Sequence, residues 1–129
     1  MKRDLALITA AISAGVHAAL VPEHFHERFA AGAGFVGATV LLGALVVWLT
    51  YSPRNARAVS ALALVFAGLI ASWALAVTSG VPVLVPEPEA VDGVAVATKL
   101  IEAAGLLLAL GLVRAEGNGF VLQPEGARS

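Results

Sequence analysis

Four long apolar stretches dominate the pattern of hydrophobic and polar positions along the chain. Polar or proline-containing segments separate these stretches, which cover residues 5–21, 29–51, 58–79 and 93–113. A helix needs about 20 mostly apolar residues to cross the roughly 30 Å of hydrocarbon in a bilayer. The pattern therefore predicts an all-α fold, a four-helix transmembrane bundle within residues 1–115, followed by a flexible polar tail at 116–129.

The connections between the spans are short and contain polar residues or prolines. The second is the turn SPRNAR, and the third is GVPVLVPEPEAVD, whose three prolines prevent a helix from continuing through it. Short connections force neighbouring helices to run in opposite directions. We therefore expect an up-down-up-down bundle, with the first apolar run kept as a membrane span.

The basic residues predict the orientation of this bundle. Arg28 is the single basic residue expected at one membrane face, whereas six are expected at the other, namely Lys2, Arg3, Arg54, Arg57, Arg114 and Arg128. Basic residues concentrate on the cytoplasmic side of membrane proteins. Both termini are therefore predicted to be cytoplasmic, and the histidine-containing loop to face outward.

The composition supports a membrane protein and excludes several classes of function. Hydrophobic residues make up 59% of the chain and charged residues 13%, where soluble domains carry about 25%. The net charge of −1 gives no basic face for nucleic acid, and the lack of cysteine excludes disulfides and iron–sulfur clusters. The abundance of alanine, valine, leucine and glycine indicates a GC-rich bacterium, so we expect the bacterial inner membrane.

Titratable residues gather where the rest of the chain has few. All three histidines lie within residues 17–27, and Lys99 and Glu102 lie inside the fourth span, three residues apart. With a rise of 1.5 Å per residue, His17, Lys99 and Glu102 are expected at roughly 7, 10 and 15 Å from the same membrane face. The first and last spans of such a bundle are neighbours, so these side chains are predicted to cluster. An intramembrane Lys99–Glu102 ion pair with a purely structural role is the alternative.

Imidazole and carboxylate groups are the usual ligands of copper, zinc and non-haem iron. The sequence offers a candidate set of such ligands at the outward side, made of His17, Glu23, His24, Asp92 and Glu102. The sequence has no HExxH or Cys/His spacing, so an exposed amphipathic loop at the headgroups remains an equal alternative for His24 and His26. No motif for a catalytic residue is found, which favours a non-enzymatic protein and leaves an enzyme that activates water on a bound metal as an open alternative.

Two motifs resemble those of a group of small, uncharacterised four-span membrane proteins from GC-rich, actinobacterial-like organisms. The first span ends in VHAALVPEHF, and TSGVPVLVPEPEAVDGVAVATKLIE leads into the fourth. In that group a His precedes Pro-Glu-His, and Gly-x-Pro leads to an Asp and then to an intramembrane Glu. The matching residues are His17, Pro22, Glu23, His24, Gly80, Pro82, Asp92 and Glu102. The resemblance implies a four-span fold and no particular activity.

Three functions fit these features. The first is a non-enzymatic subunit or accessory of a larger membrane complex that binds a transition metal. The second is a proton-coupled exporter similar to small multidrug-resistance transporters, with Glu102 as its carboxylate, although Lys99 beside it favours the ionised form and opposes proton exchange. The third is a purely structural bundle. Small residues such as Gly34, Gly37 and Gly105 predict close packing within the bundle, with a homodimer face as the alternative.

Overall fold

The computed structural model describes residues 1–82 and 85–121, without the side chains of 118–121. This part of the chain forms four helices and no strand beyond one isolated bridge between Val81 and Val85. The helices are α1 (Lys2–Glu27), α2 (Phe29–Tyr51), α3 (Ala56–Thr78) and α4 (Gly93–Val121). Each is long and apolar enough to cross a membrane. The predicted all-α fold with four membrane-span-like helices is confirmed.

Two helices extend beyond the predicted spans. α1 continues through Pro22 to Glu27, where the span was expected to end at residue 21. α4 continues to Val121, so the segment predicted as a flexible tail begins inside a helix, and residues 122–129 lie outside the described part. The length of an apolar run reflects the thickness of the hydrocarbon layer that it crosses, whereas a helix ends where its backbone hydrogen bonds end. Pro22 removes one backbone donor, and the bonds of the neighbouring residues carry α1 past it.

The helices pack around a common axis, with α1 in contact with α2 and α4, and α3 in contact with α4. α2 and α3 are also neighbours, and they pack less closely than the other three pairs. Arg3 forms an ion pair with Glu116 at 2.6 Å, and Ser13 bonds to Glu102 further along, so α1 and α4 are antiparallel neighbours, as expected. We call the end with Arg3 and Pro53 the arginine end, and the end with His24 and Asp92 the histidine end.

The core lies between the middle of the bundle and the arginine end. Its largest apolar side chains, Phe66, Leu42 and Leu62, are at most 1% exposed. Gly105 of α4 packs directly on Phe66, because a Cβ at Gly105 would lie 2.5 Å from the phenylalanine ring. The prediction of close packing is correct for Gly105. It is wrong for Gly34 and Gly37, which are exposed and have open space where a Cβ would lie.

The outer surface of the bundle is as apolar as its interior. Leu64, Leu100 and Leu107 are 74%, 68% and 71% exposed, and Trp48 and Tyr51 are also on the surface. Soluble proteins rarely expose contiguous apolar surface on this scale. Hydrocarbon around the helices would make this exposure favourable, which agrees with membrane-spanning helices.

Candidate functional site

A buried ion pair forms the floor of the site. Lys99 donates to Oε2 of Glu102 at 2.6 Å, and Ser13 donates to Oε1 of the same carboxylate at 2.7 Å. The Glu102 side chain is 0% exposed and that of Lys99 is 14% exposed. A charge at this depth is costly unless it is paired. Each oxygen of Glu102 therefore has a donor, and the charge of Lys99 is balanced within the protein.

His17 lies beside this pair and is held by its own helix. Its Nδ1 is 2.9 Å from the backbone oxygen of Ser13, and 3.9 Å from Oε1 of Glu102. A carbonyl oxygen only accepts, so Nδ1 carries the hydrogen and donates to Ser13. The second ring nitrogen, Nε2, keeps its lone pair when the ring is neutral. It has no hydrogen-bond partner among the described residues.

His24 repeats this arrangement two turns later on the same face of α1. Its Nδ1 donates to the backbone oxygen of Leu20 at 2.9 Å, which leaves Nε2 with its lone pair. The ring of Phe35 contacts both imidazoles, with centroid distances of 5.2 Å to His17 and 3.7 Å to His24. Seven residues of helix separate the histidines by about 10 Å. Phe35 therefore lies at a level between the two rings.

A cavity of about 720 Å³ rises from the ion pair to the histidine end. His17 and Lys99 line its lower part, together with the half-buried rings of Phe35 and Trp73. Carboxylates surround its mouth, contributed by Glu23, Glu27, Glu89 and Asp92. The cavity thus joins a carboxylate-rich opening to aromatic walls and a buried ion pair.

The loop after α3 closes one side of this cavity. Gly80 has a φ of 71°, and a Cβ there would lie 2.7 Å from two carbonyl oxygens of the loop, so glycine is required at this turn. Val81 and Val85 form reciprocal backbone hydrogen bonds, and the Glu89 backbone N–H donates to the Ala76 oxygen at 2.9 Å. These bonds hold Glu89 against the end of α3, where its side chain lines the cavity.

The predicted site residues are brought together only in part. Glu102 meets Lys99 and lies near His17, whereas Glu23, His24 and Asp92 line the cavity above. Asp92 also accepts from the backbone N–H of Ala95 at 2.8 Å and so caps α4. Within residues 1–82 and 85–117, no three His, Asp or Glu side chains are close enough together to hold a metal ion.

Sequence reasoning missed four residues that shape the site. Ser13 is fully buried on Glu102, and Phe35 and Trp73 form the aromatic walls. Glu89 is placed by the fold of its loop. The four-residue spacing of Ser13 and His17 was a usable signal, because such residues share a helix face. The aromatic residues and Glu89 gave no local signal.

Comparisons of the chain with protein families, with curated proteins and with solved structures found no match.

Proposed function

We propose that this is a small, non-enzymatic protein of the bacterial inner membrane, a subunit or accessory of a larger complex, that binds a transition metal ion in its cavity. One observation carries the proposal. His17 and His24 line the same cavity, and in both the Nδ1 hydrogen is engaged by a backbone carbonyl. This hydrogen bond is the one that fixes a metal-binding histidine with Nε2 as the ligand atom.

The surrounding groups support a cation. Glu23 and Asp92 line the cavity within the same part of the fold as His24, and carboxylate oxygens complete the coordination of copper, zinc or iron in mixed sites. Phe35 contacts both imidazoles, which lie about 10 Å apart along α1, so a metal shared by them requires this ring to turn aside and the ligands to draw together on binding. Glu102 is excluded as a ligand in the proposal, because Ser13 and Lys99 already occupy its two oxygens.

The test is metal binding by the purified protein in lipid nanodiscs, offered Cu²⁺, Zn²⁺ and Fe²⁺ separately and analysed by mass spectrometry of the elements. We expect one ion per chain, and at least tenfold weaker binding in His17→Ala and in His24→Ala. His26→Ala is the matched control, since His26 is exposed and does not line the cavity. Metal-free wild-type protein, or equal loss in all three variants, would overturn the proposal.

We further propose that the arginine end faces the cytoplasm and that the cavity opens outward. The support is the concentration of basic residues at one end, the pattern of cytoplasmic loops. The chain contains no cysteine, so single cysteines report the topology directly. Glu27→Cys is expected to react with an impermeant maleimide in intact cells, and Arg54→Cys only after lysis. The reverse result would invert the orientation.

The environment of Glu102 favours a structural ion pair over a proton carrier. A carboxylate that exchanges protons needs access to water in its ionised and neutral forms, whereas Glu102 is 0% exposed and bonded at both oxygens. The exporter hypothesis therefore receives no support from this geometry. The exporter hypothesis would be supported if adding a substrate released protons from the wild-type protein and not from Glu102→Gln.

A further inference from the structure

An adjoining cavity, which shares five lining residues with the upright one and which we call the side arm, runs between α2 and α3. This arm has a volume of about 210 Å³ and is lined mainly by small and apolar side chains, among them Ala31, Ala38, Leu69 and Ala76. Gly34 of α2 and Ser72 of α3 also line it and are exposed on the outside of the bundle. The arm therefore reaches the surface that faces hydrocarbon in a membrane.

The two arms meet at a junction with both polar and aromatic groups. His17, Phe35, Trp73, Glu89 and Lys99 line the upright cavity and the side arm alike. A molecule at this junction can therefore place one part toward water and another toward lipid. Such a space suits an amphiphile, because neither a small ion nor a plain hydrocarbon uses both arms.

The charges at the junction favour a cationic head group. Lys99 is neutralised by Glu102 at 2.6 Å. Glu89 has no side-chain hydrogen bond or ion pair within the described residues, and three further carboxylates line the upright cavity, those of Glu23, Glu27 and Asp92. No other lysine or arginine among the described residues lines either arm. The field in the cavity is therefore negative.

His17 supplies an independent indication of the ligand. Its side chain is 7% exposed, and Nδ1 is occupied by the Ser13 carbonyl. Nε2 is an acceptor without a partner in the described part of the chain, in a side chain that lines both arms. An acceptor that faces the cavity in this way can take a hydrogen bond from an N–H or O–H donor of a ligand. The faces of Phe35 and Trp73 also attract cations.

We propose that the cavity binds a protonated amine that carries an apolar chain. The ammonium group sits at the junction, donates to Nε2 of His17 and is attracted by Glu89, while the chain fills the arm between α2 and α3. This inference does not depend on the proposed metal site, and because both ligands use Nε2 of His17, the amine and the metal would exclude each other.

The test uses the fluorescence of Trp73 in nanodiscs, in the Trp48→Phe background and with a chelator present. Trp48 is exposed and lines neither arm, so its removal leaves the reporter in the cavity. Decylamine is titrated beside decanol and decanoate, which have the same chain length. We expect the Trp73 fluorescence to change saturably with decylamine alone. Decanol measures the change that is due to partition into lipid.

Two pairs of variants locate the amine. Gly34→Leu fills the side arm and is expected to weaken decylamine binding at least tenfold. Gly37→Leu is its control, because both glycines are exposed with open space around them and Gly37 lies outside the arm. Glu89→Gln is expected to weaken decylamine binding, and Glu87→Gln, outside both arms, to leave it unchanged. Equal responses to decylamine and decanol, or equal effects within either pair, would overturn the inference.

Discussion

Removing the buried charges of Lys99 and Glu102 by substitution gives the sharpest test of the site's architecture. We consider Lys99→Met and Glu102→Gln, each alone and both together. Glu102→Gln preserves the shape of the side chain and an oxygen that accepts from Ser13, but it leaves the ammonium group of Lys99 without a counter-charge. Lys99→Met leaves the carboxylate of Glu102 charged and buried.

The expected magnitudes follow from the burial of the pair. The Glu102 side chain is 0% exposed and that of Lys99 is 14% exposed, with 2.6 Å between the charged atoms. Removing one member of a buried pair costs about 3–5 kcal/mol, whereas replacing both is often nearly neutral. Each single variant should therefore reduce the free energy of unfolding by about 3 kcal/mol, roughly 100-fold in the equilibrium constant. The double variant should lose less than either single one.

Reversible unfolding in mixed micelles, followed by circular dichroism, measures all four proteins of this double-mutant cycle. A buried ion pair between Lys99 and Glu102 requires a coupling energy of at least about 3 kcal/mol between the two positions. If the effects of the single variants add to within about 0.5 kcal/mol, the ion pair does not form as described, and the floor of the cavity must be built differently.

Three further destabilising changes can be measured by the same unfolding experiment. Gly105→Leu should lower the free energy of unfolding by about 1–3 kcal/mol or more, because the new side chain collides with Phe66. Its control is Gly68→Ala, which has open space around its Cβ and should stay within about 0.5 kcal/mol of wild type or gain stability. Asn55→Ala removes the acceptor of two backbone N–H groups at the start of α3 and should cost about 1 kcal/mol. In Gly80→Ala the new Cβ is placed on a backbone with positive φ and against two carbonyl oxygens, so the free energy of unfolding should fall by at least about 1–2 kcal/mol. A neutral result for any of the three destabilising changes contradicts the local geometry on which the prediction is based.

The fold was largely predictable because the bilayer imposes it. A run of about 20 apolar residues has few alternatives to a spanning helix, and α2 was predicted with its observed bounds of Phe29 and Tyr51. Helix ends in the polar regions were not predictable in this way. The segment after Pro22 and the end of α4 are polar enough for a loop, and their helices continue on backbone hydrogen bonds and on contacts with other helices, such as His24 with Phe35 and Glu116 with Arg3.

The site was predictable only where depth decides which side chains meet. His17, Lys99 and Glu102 have matching depths on neighbouring helices, and they do come together. Trp73 and Phe35 belong to helices whose rotation about their own axes is set by packing, and nothing in an apolar sequence reports that rotation. Gly34 and Gly37 were misjudged for the same reason, since a small residue suits a close contact without specifying which face of the helix makes it.

The apolar core closes the cavity at the end away from the histidines. Below Ser13 and Glu102, the interior is filled by Ala10, Leu42 and Phe66, each 0% exposed, so the cavity ends at the ion pair. A second cavity of about 260 Å³ lies at the arginine end, beyond this core, and Arg3 and Leu62 line it. A continuous path would require Phe66 to leave its contact with Gly105, which would expose the Glu102 pair to both sides. The packing thus separates the cavity at the histidine end from the one at the arginine end, and Phe66→Ala is the change that should first let water reach Glu102 from the arginine end.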